Sequence, residues 1–488
     1  MAMRPSNKTN VAWGLMMRGA GHSCTDRGRP AQAARRVICS DCQDRGDNDA
    51  PGRRTSLTHS VTPIPQPGAI LIDSFASGPP FARSSAYFLR PMTVSPTPAR
   101  IAIIGVSGYG SIHLQLARES RDRGEIRITA AAIINPQEET AAIAELRAQG
   151  TEIFTDYAEM FRVHAGRIDL CLIPTGIHWH ARMTIAALES GANVLVEKPL
   201  AGSVAEVEEI RRVEQRTGKF VAVGFQDFYE PGTMWLKHEL QRGVIGDIWS
   251  VRFLGVWPRP RGYFTRNNWA GRLNVDGVAV MDSPLNNAFA HFVMLSLFLV
   301  GAETTAETPT LEGVELLRAH AIESFDTAVV RSLTARGVKL WFGASHACRE
   351  TVEPEIVITG RHGQAGWRYE SEAWWRATDG ATTRRALLDI TGARRAMFGA
   401  ALARLRDPTV AICTSELAGR HTALIEAIHR QARIAVVPPE RISWSGLNGT
   451  ASQVPDIRGM AEAMRRSYVG EQSLAASGFS LAAPAGGG

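Results

Sequence analysis

RIAIIGVSGYGSIHL, residues 100–114, decides how the whole chain reads. Ile101 to Ile104 are apolar with no polar alternation, the pattern of a strand buried on both faces, and the next residues turn through several glycines into a helical pattern. Such a strand–turn–helix opens a dinucleotide-binding unit. The glycines permit the tight turn, the approach of a pyrophosphate and the contact of helix with strand, while the helix offers its amide end to the anion. Gly105 and Gly110 hold the first and sixth places of that fingerprint, Ser107 replaces the middle glycine, and Gly108 supplies backbone freedom one residue later. With Tyr109 these are the expected cofactor contacts.

Downstream, IRITAAAII, IDLCLI, NVLV and FVAVGF repeat the apolar pattern, with helical periodicity over 137–149, 180–190 and 204–217. Strands alternating with helices predict an α/β fold, a doubly wound parallel sheet over residues 99–223. An NAD-binding domain ends its second strand in an acid, and an NADP-binding one follows it with arginine. Asn135 stands at that point instead, with Glu138 and Glu139 just beyond. An amide can bond a ribose hydroxyl and the two acids disfavour a 2′-phosphate, so the cofactor is read as NAD or NADP, leaning to NAD.

The strand NVLV ends abruptly in Glu197-Lys198-Pro199. Ligands of an open parallel sheet sit beyond the carboxyl ends of its strands, and proline fixes the chain's exit while holding the preceding residue extended. The Lys198 ammonium is thereby aimed, and can stabilise charge on a substrate oxygen as hydride leaves or arrives at its carbon.

These residues carry a resemblance. IPTGIHWHARMTIAALESGANVLVEKPLAG, residues 173–202, together with GVSGYGSIHL, is similar to the Gfo/Idh/MocA family of glucose-fructose oxidoreductase, inositol dehydrogenase and rhizopine catabolism protein, over about Ile101 to Gly301. The resemblance implies an N-terminal Rossmann domain and a C-terminal α/β domain (224–468) whose large, mostly antiparallel sheet forms the substrate pocket and often a subunit interface, hence a homo-oligomer. By position, Glu197, Lys198 and Pro199 match the family's Glu-Lys-Pro motif, and Pro174 and Thr175 match its cofactor-touching loop. The motif histidine is His178 counted from Pro174, or His180 counted back from Gly191. In DSPLNNAFAHFVMLSLFLVG, residues 282–301, Asp282 fits the family's acid but leaves Asn286 at the histidine; the better register sets His291 as the proton carrier with Asn287 in place of the acid, i and i+4 on one helix face. The polar aromatic segment 257–277 and the end of the sixth strand supply candidate substrate contacts in Gln226, Arg259, Tyr263, Arg266, Asn268 and Trp269.

Composition limits the alternatives. The net charge of +6 in 488 residues comes wholly from the first 91, where twelve basic residues face six acidic ones; the remainder balances, so no nucleic-acid or membrane-binding face is expected. Residues 1–98 lack periodicity and read as a disordered extension with Met92 as a candidate start, and 469–488 read as a flexible tail. Cys39 and Cys42, with Cys24 and His22, have irregular spacing, so no metal is expected, and the scattered Cys171, Cys348 and Cys413 fit a reducing cytoplasm. Ser283 to Ala302 is uncharged, but Pro284, Asn286, Asn287 and His291 leave only a core-helix length of apolar chain. The expected protein is an NAD(P)-dependent oxidoreductase acting on a carbinol carbon of a sugar, inositol or related polyol. The rivals are a cofactor-binding sensor or assembly protein without turnover and an NAD-dependent glycoside hydrolase.

Overall fold

The computed structural model describes residues 97–302 and 305–481. The readings for residues 1–96, including the Met92 start and the Cys39 and Cys42 pair, lie outside the described residues.

Six strands, β1 (Ala99–Ile104), β2 (Ile126–Ala132), β3 (Glu152–Phe154), β4 (Leu170–Ile173), β5 (Asn193–Val196) and β6 (Val221–Val223), form a parallel sheet in the order β3-β2-β1-β4-β5-β6. Helices α1 (Gly110–Asp122), α2 (Thr140–Ala148), α3 (Tyr157–Val163), α4 (Ile177–Glu189) and α5 (Val204–Thr217) connect them. Every residue of β4 is fully buried, as a strand covered on both faces requires. The strand order reverses between β1 and β4, so the loops leaving those strands diverge and open a crevice at their carboxyl ends. Strand β3 and helix α3 have no counterpart in the sequence reading, because three and seven residues are too few to show a period. Helix α4 starts at Ile177 rather than near His180, immediately after an extended Gly176.

The rest of the chain builds a second, larger sheet. After α6 (Pro231–Gln241) come β7 (Ile248–Val256), the short hairpin β8 (Asn274–Val275) and β9 (Val278–Ala279), and α7 (Ala290–Val300). Strands β10 (Thr310–Arg318), β11 (Thr327–Leu333), β12 (Lys339–Ser345), β13 (Val352–Gly360), β14 (Gly363–Arg368), β15 (Glu372–Ala377) and β16 (Thr382–Ala386) follow. Helices α8 (Ile390–Arg404) and α9 (Ser415–Gln431) and strand β17 (Ile434–Val436) lead to β18 (Ile442–Ser445), β19 (Val454–Ile457) and α10 (Met460–Gly470). Nine strands pair as β16-β15-β14-β13-β7-β12-β11-β10-β17, parallel only at β7 with β12 and at β10 with β17. All eleven residues of α7 are buried, which is why its sequence has no polar face, and among the described residues no helix is long and apolar enough to cross a membrane.

Two boundaries differ from expectation. Helix α9 returns to the first sheet: Glu426 accepts a hydrogen bond from the Val204 amide at 2.8 Å, and Thr414 forms a bridge with Ala222 of β6. The expected tail is packed as far as residue 481, since Leu474 is buried, its amide donates to Glu315 at 2.7 Å, and Phe479 and Leu481 pack against the same cluster. Three apolar residues suffice to dock a segment whose Gly and Ser content reads as flexible.

Candidate active site

The glycine turn leaves β1 at the crevice. Gly105 and Gly108 take positive φ values of 83° and 56°, which residues with a side chain rarely adopt. Gly110 opens α1 so close to the strand that a Cβ there would lie 2.6 Å from the Gly105 carbonyl oxygen. No side chain caps the helix start at Tyr109 and no acid sits in the first turn, so its amide end suits an anionic diphosphate. Ser107 is exposed in the same turn. Pro174 and Thr175, in the loop after β4, abut this turn from the other side: a Cβ on Gly110 or Gly105 would meet them at 3.6 and 3.9 Å. Asn135 lies beyond β2 with its amide donating to Glu138 at 3.0 Å. Glycine freedom, an uncapped helix end and an amide beyond the second strand fit a dinucleotide.

At the end of β5 the three motif residues separate by role. Glu197 turns inward, where its Oε1 lies 2.9 Å from Nε2 of His113 on α1, and both side chains are buried. Pro199 presents its carbonyl 2.7 Å from Nδ1 of His180, whose Nε2 is 3.1 Å from the Thr175 carbonyl. His180 therefore ties the loop after β4 to the loop after β5 across the start of α4. His178, two positions earlier on that helix, leaves Nδ1 buried without a partner, and its ring and the Trp269 indole both crowd Gly176. Burial drives both imidazoles towards the neutral form.

Lys198 alone points towards the later segments. Its Nζ donates to the Asn287 carbonyl at 2.7 Å and to Asn287 Oδ1 at 3.1 Å, and burial lowers its pKa to about 8 against the opposing pull of Glu197. Asn287 in turn donates through Nδ2 to Asp282 Oδ1 at 2.8 Å, while Asp282 Oδ2 accepts from the Gly271 amide at 2.6 Å. The acid set aside in one sequence register thus acts through the amide chosen in the other. Contrary to the i, i+4 expectation, Asn287 is not on the helix of His291; it lies in the turn preceding α7, where Pro284 and a series of short-range turns delay the helix.

His291 finds its acid elsewhere. Its Nδ1 is 3.2 Å from Oδ2 of Asp227, in the 3-10 turn Gln226–Phe228 after β6, a separation suited to an ion pair but without hydrogen-bond alignment, so Nδ1 stays unpartnered. Burial lowers the imidazole pKa well below its usual value, helped by the Lys198 charge, and raises the Asp227 carboxyl to about 7. Gln226 is buried beside them, its Nε2 3.4 Å from Asp227 Oδ2 and its Oε1 unpartnered.

The outer wall comes from residues 257–269. Tyr263 Oη is 3.5 Å from Asn287 Nδ2, and the Arg259 and Arg266 guanidinium carbons lie 4.8 and 3.7 Å from the Tyr263 ring centre, with Trp269 5.2 Å from Arg266. Asn268 is exposed on the same segment. The sequence reading missed Asp227 and His113, although both fall inside or next to stretches it singled out, and it missed Arg394 of α8, which lies 5.3 Å from the Tyr109 ring and whose charge bears on Asp227 and His291. An acid directly after an apolar strand and a histidine on the buried face of α1 were the available signals; Arg394 gave none.

Comparison with known proteins assigns this arrangement a class. Residues 99–225 match the family described as oxidoreductase family, NAD-binding Rossmann fold. That segment is similar to the dinucleotide-binding domain of the Gfo/Idh/MocA family. An inositol 2-dehydrogenase of Corynebacterium glutamicum (strain R) is 28% identical over 156 residues, 32% of this chain and 44% of that protein, so the chain matches less than half of that relative's length. One from Gluconacetobacter diazotrophicus is 25% identical over 54% of this chain and 72% of its own. Among solved structures, an inositol dehydrogenase homolog from Azotobacter vinelandii complexed with NAD+ superposes with a TM-score of 0.58 at 17% identity, covering 69% of this chain and 97% of that one. The WlbA dehydrogenase of Bordetella pertussis, in complex with NADH and UDP-GlcNAcA, gives 0.56 at 20% identity over 69% and 97%. These likenesses establish the two-sheet fold across both parts of the chain.

Proposed function

We propose that the protein is an NAD(P)-dependent dehydrogenase that moves hydride between nicotinamide and a carbinol carbon of a sugar, inositol or related polyol. The observation that carries this reading is the convergence of Lys198, Asn287, Asp227 and His291 at the carboxyl edge of the first sheet. The bound dinucleotide supplies the hydride acceptor or donor, held by the glycine turn, Pro174, Thr175 and Asn135. Lys198 spends two N–H bonds on Asn287 and keeps a third for a substrate oxygen, where an ammonium stabilises developing negative charge. His291, neutral at physiological pH, accepts the hydroxyl proton at Nε2 when Nδ1 carries its own proton towards an ionised Asp227. Asp227 thus takes the orienting role expected of Asn287, and Asn287 positions the lysine. Glu138, bonded to Asn135, with Glu139 beside it, favours NAD over a 2′-phosphorylated cofactor.

Incubation of the purified protein with NAD or NADP and a panel of inositols, alditols and aldoses, followed at the absorbance of reduced nicotinamide, tests the reading. Steady accumulation with at least one polyol is expected. Bound NAD with no reduction would make the protein a sensor, and sugar release from a glycoside without net reduction would make it a hydrolase.

A further inference from the structure

The wall of the site holds two cations, Arg259 and Arg266, with no carboxylate in direct contact among the described residues. Some arginines elsewhere meet carboxylates, as Arg368 does Glu355 at 2.7 Å and Arg272 does Glu323 at 3.2 Å, while others such as Arg182 and Arg261 lie singly over an indole ring. Among the described residues, no carboxylate lies within ion-pair distance of Arg259 or Arg266; both guanidiniums are half-buried against the single ring of Tyr263. Arg259 Nε is buried without a partner, and Arg266 gives one N–H to the Tyr263 carbonyl.

The nearby acids point their oxygens at neutral donors, and Asp282 feels the Arg266 charge without touching it. Asp282 is bonded to the Gly271 amide and Asn287, Glu353 accepts from the Trp257 indole at 3.0 Å, and Glu370 accepts from the Ile390 amide at 2.7 Å. With Lys198 two hydrogen bonds from the Tyr263 hydroxyl through Asn287, three positive groups line one side of the site. Grouping like charges in a partly desolvated wall is unfavourable unless an anion completes it. A cleft of about 430 Å³ beside Arg259 is lined by Trp257, Pro258, Thr351, Tyr369 and two carboxylates, Glu353 and Glu370, so the anion is placed on the Arg266 side, over Tyr263.

We infer that the polyol substrate carries an anionic group, a carboxylate or a phosphate, held between Arg259 and Arg266 over Tyr263. This rests on the dehydrogenase reading above and names the substrate class for the same site. The two guanidiniums are positioned to take the anion's oxygens while the carbinol lies towards Lys198. Such a substrate is a sugar acid or a sugar phosphate rather than a neutral cyclitol.

The test compares matched substrates with NAD: a hexose, the corresponding hexuronate and aldonate, the hexose 6-phosphate and a neutral inositol, each with wild type, Arg259→Gln, Arg266→Gln and Arg266→Lys. At least one anionic member is expected to exceed its neutral counterpart about 100-fold in kcat/KM; which one responds separates carboxylate from phosphate. Arg266→Gln should remove about 30-fold of that preference, mostly through KM, and Arg266→Lys should restore part of it. Equal or better turnover of the neutral members would overturn the anion site and leave the dehydrogenase standing. If no member reduces NAD, the dehydrogenase reading fails, and calorimetric titration of hexuronate, aldonate and hexose 6-phosphate into the NAD-loaded protein decides the site: binding weakened by Arg266→Gln upholds it, and absence of binding overturns it. Thermal melts of each variant separate misfolding from lost recognition.

Discussion

Two buried histidine–carboxylate pairs flank Lys198, and they are built differently. His113 and Glu197 meet at 2.9 Å as a hydrogen bond between α1 and the end of β5, and Glu197 also accepts from the Lys198 amide at 3.2 Å. His291 and Asp227 stand 3.2 Å apart without alignment, and burial raises the acid to about 7. The members of the first pair bond each other, with only His113 Nδ1 left unpartnered, and fix the backbone that presents the lysine; the members of the second make no hydrogen bond to each other beside the proposed substrate position. Burial of a charge without full compensation is costly, and it is tolerated where a proton has to move. A side chain's neighbours, more than its identity, separate scaffold from chemistry here.

The sharpest break in this contrast is Lys198→Met, which removes the group both pairs surround. A fall in kcat of roughly 10³-fold with NAD affinity changed by less than about threefold is expected from the loss of a charge-stabilising donor. Parallel losses of turnover and NAD binding, measured by stopped-flow and fluorescence titration, would instead make Lys198 a cofactor ligand. Asp227→Asn comes next, with an expected loss in kcat/KM of roughly 10- to 100-fold near neutrality. Wild-type kcat/KM should rise with pH through about 7 as Asp227 ionises and fall above about 8 as Lys198 loses its charge, the apparent values belonging to the coupled group. The variant should lose the rising limb. Stability adds a second readout. With its pKa raised from 3.8 to about 7, Asp227 keeps a proton in the folded state that the unfolded chain has lost, so its contribution is full below about pH 4 and lost as pH rises to about 7. Asparagine stays neutral, so in urea titrations the variant should gain on wild type by on the order of 2–4 kcal/mol between pH 4 and pH 8.

What the sequence discloses follows the same division. The glycine turn, the strand alternation and Glu197-Lys198-Pro199 are contiguous, and local rules of backbone and burial suffice to read them. The second site half is assembled from Gln226 and Asp227 after β6, Tyr263 and Asp282 in loops, and His291 on α7, and no local period links those positions. Reading Asn287 and His291 as one helical face assumed that the helix begins before Asn287; Pro284 and the turns after it place the helix start at Ala290. Asp227 was hidden by the adjacent Gln226, whose amide invites a substrate role yet lies buried against the acid. The sheet strands β15 and β16 and the helix α8 were equally hard to read. Five exposed residues in β16 and two glycines inside α8 blur their periods, and Arg394 came with them.

The smallest expected effect on chemistry, and a measurable one on folding, belongs to His113→Ala. Removing the imidazole leaves the Glu197 carboxylate buried with only the Lys198 amide as a donor, and uncompensated buried charge of this kind destabilises by about 3 kcal/mol. Gly224, just past β6, makes room for this carboxylate, since a Cβ added there would lie 2.7 Å from Glu197 Oε1. Glu197→Gln in the same background neutralises that charge, so the double variant should recover more than half of the lost stability in urea titrations while kcat stays within about threefold of wild type. A coupling energy near zero between the two positions would mean that their bond carries no stability, and a kcat loss as large as that of Asp227→Asn would mean that the bonded pair belongs to the chemistry and that pairing does not distinguish scaffold from catalyst in this fold.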